Sequence, residues 1–193
     1  MSSTNAACLE PVDRRTLLAL ALDSIGHGLS TGRALDVDPS AYPEALQEQR
    51  ATFVTLHRRG LLRGCIGHLQ AVTSLVVDVA DNAFAAAFRD PRFPAVAEHE
   101  LADLRIAISI LSPPQPMTFS SESDLIGQLN PGSDGLILED NGARGTFLPS
   151  VWEQLPEPST FMRHLKQKAG LAPDYWSDTV KISRYYTESF GDE

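Results

Sequence analysis

Cysteine is scarce in this chain. Its 193 residues include two, Cys8 and Cys65, too few for a disulfide framework, and the scarcity agrees with a reducing compartment. Positive charge is also short: 16 Lys+Arg stand against 25 Asp+Glu, a formal net charge of −9. Wrapping nucleic acid needs a basic surface, so nucleic acid is an unlikely partner, and anionic membranes are disfavoured for the same reason. No long hydrophobic run occurs: Leu17–Leu22 and Ala83–Phe88 fall far short of a membrane span. The opening residues 1–10 have neither the basic stretch nor the apolar run of a secretory leader, and the expected location is the cytoplasm. The five histidines are scattered, with no His-Glu-x-x-His and no Cys-x-x-Cys. No metal site and no cofactor is therefore expected. Phosphate-binding and dinucleotide glycine patterns are missing too, as is a Gly-x-Ser-x-Gly elbow.

What is present is an ordinary soluble composition, 42% hydrophobic and 21% charged. The spacing of Leu17, Leu18, Ala21, Leu22 and Ile25 predicts a helix capped by Asp13 and ended by Gly26 and Gly28. Residues 52–57 and 61–66 read as a hairpin turning at Arg58-Arg59-Gly60. Thr73 or Ser74 starts a strongly periodic helix through Phe88, and Leu104–Leu111 alternates as a strand. A second hairpin turns at Asp140-Asn141-Gly142, a helix runs from Ser159 to Gly170, and Thr179–Thr187 reads as one strand. The order hairpin, helix, strand thus occurs twice, over about residues 52–111 and 135–187, with Arg63-Gly64 answering Arg144-Gly145. The expected fold is α+β, with mostly antiparallel sheets, flanking helices and two lobes. A single domain is expected over 12–187, with flexible termini at 1–11 and 188–193.

Chemistry concentrates in Leu62-Arg63-Gly64-Cys65-Ile66-Gly67-His68. Strand alternation puts Arg63 and Cys65 on one face, about 6–7 Å apart, close enough for the guanidinium to favour a thiolate. Gly64 and Gly67 clear the way for another backbone or a ligand. Against this stands the plain alternative of a small cysteine packed in a tight hairpin. His68 is the nearest base, but alternation turns it away from Cys65 unless Gly67 bulges; a surface or capping role is the simpler account. Arg89 and Arg92, in Phe88-Arg89-Asp90-Pro91-Arg92-Phe93, could fork a carboxylate or phosphate, with Arg144 completing the site if the lobes face each other. A helix C-terminus followed by a turn explains the same run without a ligand. Glu98, Glu100 and Asp103 read as a solvated face.

The segment Leu62–Gly67 resembles the signature hexapeptide of the AMMECR-type domain, also called AmmeMemoRadiSam system protein A. Residues 82–93, 108–114, 135–138, 145–149 and 161–171 resemble, in order, further segments of that family, so the likeness spans roughly 12–187. His68 departs from the family's usual threonine or other small polar residue, and Ser150 from a common glutamine. The resemblance implies a two-lobed α+β domain with the hexapeptide at or near the groove, in the cytoplasm or nucleus. It also implies company: a Memo-type protein and a radical S-adenosylmethionine protein as partners. Two functions follow as expectations. One is an enzyme or catalytic subunit of a small modification pathway, with Cys65 and Arg63 catalytic. Gly64, Gly67, His68, Arg89, Arg92 and Arg144 would then bind a small anionic substrate. The other is an adaptor whose Arg-Gly-Cys-Ile-Gly face docks a protein through an apolar patch rimmed by Arg63, Arg89 and Arg92.

Overall fold

The computed structural model describes residues 9–191, so Cys8 lies outside the described residues. The chain forms two compact units. The first holds residues up to Leu111 and those from Glu188 on; the second is Ser112–Thr187.

In the first unit, helix α1 (Pro11–Thr31) precedes a short α2 (Glu44–Gln47) and a hairpin of β1 (Thr52–Arg58) and β2 (Leu61–Gly67). Pro11 occupies the first turn of α1, where a missing N–H costs nothing, and Glu10 rather than Asp13 is the N-cap residue. The helix runs on past Gly26 and Gly28 to Gly32, which adopts φ +70°. Gly28 serves packing instead: a Cβ there would stand 2.6 Å from Phe88 and 2.7 Å from Phe84. The hairpin turns through Arg59 and Gly60, both at positive φ, the twist that suits a two-residue connection. Helix α3 (Leu75–Phe88) and strand β3 (Leu104–Leu111) follow. Apolar faces of α1, α3 and the sheet meet in one core around Leu17, Ile25, Val54, Leu56, Val79 and Ile108. Each such side chain contributes about 1.5–3 kcal/mol on burial.

The second unit contains β4 (Gln115–Pro116), α4 (Glu122–Gly127), β5 (Gly135–Asp140), β6 (Ala143–Phe147), α5 (Pro158–Lys168) and β7 (Lys181–Tyr185). Glu157, not Ser159, caps α5, accepting from the Ser159 and Thr160 N–H groups. Its core gathers Leu136, Leu138, Phe161, Leu165 and Ile182, and Trp152 stacks on Phe161 at 3.8 Å. The expected single strand 179–187 is in fact two, since β7 ends at Tyr185 and β8 (Thr187–Gly191) begins after Tyr186. Residues 188–191, expected as a loose end, are sheet.

The sheet orders are β2-β1-β3-β8 and β4-β7-β5-β6. In each, the strand after the helix pairs antiparallel with the first strand of the hairpin, so the repeat is visible as shared topology. Equivalent rows run Gly64–Leu56–Ile106 and Gly145–Leu138–Ile182. In both rows a helix lies on the glycine. A Cβ on Gly64 would stand 2.2 Å from the Ala86 carbonyl oxygen, and one on Gly145 would stand 3.1 Å from that of Leu165. The fourth strands are exchanged: β8 follows β7 yet completes the first sheet, and β4 follows β3 yet completes the second.

Candidate functional site around the Cys65 hairpin

Strand β2 is an edge of its sheet, and an edge leaves backbone groups without a ladder partner. Cys65 stands opposite Thr55. Its backbone points away from β1 and is met from the loop after α3. Asp90 Oδ2 accepts the Cys65 N–H at 2.9 Å, and Arg92 Nη2 donates to the Cys65 carbonyl at 3.3 Å. Asp90 and Arg92 also grip each other through two hydrogen bonds, of 2.9 and 2.7 Å. The pair therefore occupies the edge as a neighbouring strand would. Arg92 holds the Asp90 carboxyl well below the usual carboxylate range, and burial opposes the shift. In turn hydrogen bonding to Asp90 raises Arg92, and burial opposes that shift.

The thiol is half-buried beside the Thr55 hydroxyl, with Sγ to Oγ1 at 3.2 Å. Facing positions that do not share ladder bonds bring their side chains closest. Ile66 belongs to the core on the other side of the strand, and Gly64 admits α3 there. Gly67 lies against β1: a Cβ would stand 2.2 Å from the Thr52 carbonyl oxygen.

Arg63 does not share the face of Cys65. The register slips between Leu56 and His57, pairing Leu56 with Gly64 and His57 with Leu62, so Arg63 is the extra residue of a bulge. Its guanidinium grips Glu100 through bonds of 3.0 and 2.9 Å, and Arg58 reaches the same carboxylate at 2.9 Å. Glu100 is buried rather than solvated, and hydrogen bonding from Arg63 above all holds it down to about 2. The guanidinium bonded to Cys65 is that of Arg92, through the backbone carbonyl, and not that of Arg63.

His68 leaves the strand toward α3. Its Nε2 lies 2.7 Å from Asp78 Oδ1, whose side chain is completely buried. No hydrogen bond joins His68 to Cys65 among the described residues. Asp78 Oδ2 accepts from the Thr52 N–H, the Thr52 hydroxyl and Asn82 Nδ2, at 2.9, 2.6 and 3.0 Å. Burial pushes Asp78 upward, opposed by the Thr52 bonds and by His68. Arg89 is exposed, with its guanidinium 4.9 Å over the Phe84 ring. Arg144 belongs to the second unit. It pairs with Glu139 across the hairpin at 3.2 Å and lines an open depression of about 730 Å³ with Asp140, Asp178 and Lys181.

Five contributors escaped the sequence reading: Thr55, Asp78, Asn82, Glu100 and, as a backbone clamp, Asp90. Asp78 and Asn82 carried a signal, two polar residues four apart in a helix whose one other polar residue is Asp81. Among the described residues no group of three or more His, Cys, Asp or Glu could hold a metal ion, and no helix is long and apolar enough to cross a membrane.

Known proteins have related sequences. A protein of Methanothermobacter thermautotrophicus is 35% identical over 181 residues, 93% of this chain and 94% of its own. One of Thermotoga maritima is 38% identical over 161 residues, 82% and 87% of the two chains. The crystal structure of an uncharacterized Pyrococcus horikoshii protein superposes with a TM-score of 0.84 at 33% identity, covering 92% of this chain and 90% of that one. The sequence model of the family AMMECR1 matches residues 18–190. This chain belongs to the AMMECR1 family.

Proposed function

We propose that the chain is an enzyme, or the catalytic subunit of a small modification pathway, with Cys65 as its reactive group. One observation carries this reading: both outward backbone groups of Cys65 are pinned by the Asp90–Arg92 pair while the residue stays only half-buried. Reacting groups need such fixed placement. Arg92 takes the part expected of Arg63, as the cation bonded to Cys65, through its carbonyl. With Arg63, Arg92 and Arg144 each paired to a carboxylate, the anchor for a small anionic substrate is Arg89. The proposed partners are the Memo-type and radical S-adenosylmethionine proteins found beside or fused to members of the family, and the proposed compartment is the cytoplasm.

The test is alkylation of Cys65 by iodoacetamide at pH 7, with Cys8 replaced by serine. The folded protein should react faster than the urea-unfolded chain, by about tenfold, because only an activated thiol outruns a freely accessible one. Reaction that waits for unfolding overturns the reading.

The docking alternative has its own support. Leu61 is 73% exposed and Leu62 41% exposed on the edge strand, although Arg63, with 11% of its side chain exposed, does not rim that patch. On this alternative Leu62→Ser loses partner binding and Cys65→Ser is silent.

A further inference from the structure

Three polar side chains are buried where β1 meets α3: Thr52, Asp78 and Asn82. Burying them is costly unless every group is bonded. Thr52 and Asn82 bond to Oδ2 of Asp78. Among the described residues Oδ1 accepts no hydrogen bond; its one oppositely charged neighbour is His68 Nε2, an ion-pair contact at 2.7 Å. This nitrogen is itself buried, whereas 40% of the His68 side chain is exposed. The exposed part therefore includes the other edge of the ring, and no described residue bonds Nδ1. A buried carboxylate in ion-pair contact with an imidazole stabilises the imidazolium when the outer nitrogen takes a proton.

The surroundings point to a ligand rather than to a simple clasp. Asp81, one turn beyond Asp78 on α3, interacts electrostatically with both His68 and Arg89. Residues 78, 81, 82, 85 and 89 share one side of the helix. Its exposed members, Asp81 and Arg89, thus extend in a row from the imidazole. Among the described residues no carboxylate lies within ion-pair distance of Arg89, which rests on the Phe84 ring.

We propose that His68, held by Asp78, is a proton-transfer site for a small anionic substrate whose charge lies toward Arg89. The substrate's X–H bond breaks, its proton passes to Nδ1, its electron pair stays on X, and the imidazolium leans on Asp78. The step needs no oxidant or co-reactant. Asp78 acts through His68 and is a positioning residue. The proposal shares the Arg89 anchor with the Cys65 reading but not its reactive group, since the thiol sits with Thr55 and the imidazole with α3.

Diethyl pyrocarbonate, which acylates an accessible neutral imidazole nitrogen, reads this directly when modification is followed site by site. His68 should react about tenfold faster than the other four histidines. Asp78→Asn should remove that advantage. Inorganic phosphate at millimolar concentration should slow the reaction at His68 in the native protein and not in Arg89→Gln. Should Asp78→Asn fail to fold, the native protein still decides. Long-range ¹⁵N–¹H spectra should find the proton on Nε2, and the rate at His68 and its protection by phosphate need no variant. A proton on Nδ1 overturns the proposal. So does an Nε2 proton with ordinary reactivity and no protection, which is what a purely structural clasp would give.

Discussion

Replacing Glu100 with glutamine tests how the hairpin is held. Glu100 is buried and accepts from Arg63, Arg58 and the Ala97 N–H. Glutamine keeps the shape and removes the charge, leaving two guanidinium groups without their counter-ion. Holding the carboxyl at about 2 instead of 4.5 corresponds to about 3 kcal/mol. Breaking a buried ion pair by removing one partner costs about 3–5 kcal/mol in other proteins, so the two routes agree. At roughly 2–4 °C per kcal/mol for a chain of this size, Glu100→Gln should melt about 6–12 °C lower at pH 7. The pH dependence follows from the sign of the shift. A carboxyl depressed by folding stabilises fully above its unfolded value and loses that stabilisation as pH falls through its folded value. The gap between native and variant proteins should therefore stay constant above about pH 5 and close between about 4.5 and 2. Urea unfolding followed by far-UV circular dichroism measures it. Tryptophan emission reports the second unit alone, because Trp152 and Trp176 both lie there. A gap below about 1 kcal/mol at pH 7, or one that persists unchanged down to pH 2.5, would refute the argument.

Gly64→Ala should cost about 3 kcal/mol or more, since its Cβ would meet the Ala86 carbonyl at 2.2 Å and backbone cannot swing aside. Gly145→Ala should cost nearer 1 kcal/mol, its contacts being 3.0–3.1 Å; equal losses in urea titrations would contradict the geometry. Arg63→Ala should destabilise the fold yet leave Cys65 alkylation within about twofold of the native rate, whereas Arg92→Ala should slow it, because Arg92 is the cation bonded to the Cys65 backbone. Ser24→Ala removes a buried hydroxyl that donates to the Ala80 carbonyl and accepts the Leu35 N–H. About 1–3 kcal/mol should be lost in equilibrium unfolding.

Regular periodicity carried well from sequence to structure. Strand β3 occupies the expected residues, and α3 and the first hairpin differ from expectation by a residue or so at their ends. Where a residue served long-range packing, local rules misled. Gly28 resembles a helix stop but exists to admit Phe84 and Phe88. Arg63 was placed by alternation, and a one-residue bulge, which has no compositional mark, moved it to Glu100. Glu100 lies in a 3-10 segment, Glu98–Asp103, too short to show which side is buried. Asp90 looked like turn chemistry because its second task, reaching the edge of β2, joins residues 25 apart. The hexapeptide and the Arg-Asp-Pro-Arg run were both conspicuous in the sequence; that one is the clamp of the other is a tertiary fact.

The exchange of fourth strands has a consequence during synthesis. Strand β3 is complete at Leu111, but its outer neighbour β8 starts at Thr187. At roughly 5–20 residues per second, the ribosome would need about 4–15 s to deliver it. Throughout that interval β3 is an open edge on an otherwise finished sheet, the condition that invites pairing with a foreign strand. The first half of the nascent chain thus waits, one strand short, for a segment translated only after the whole second unit.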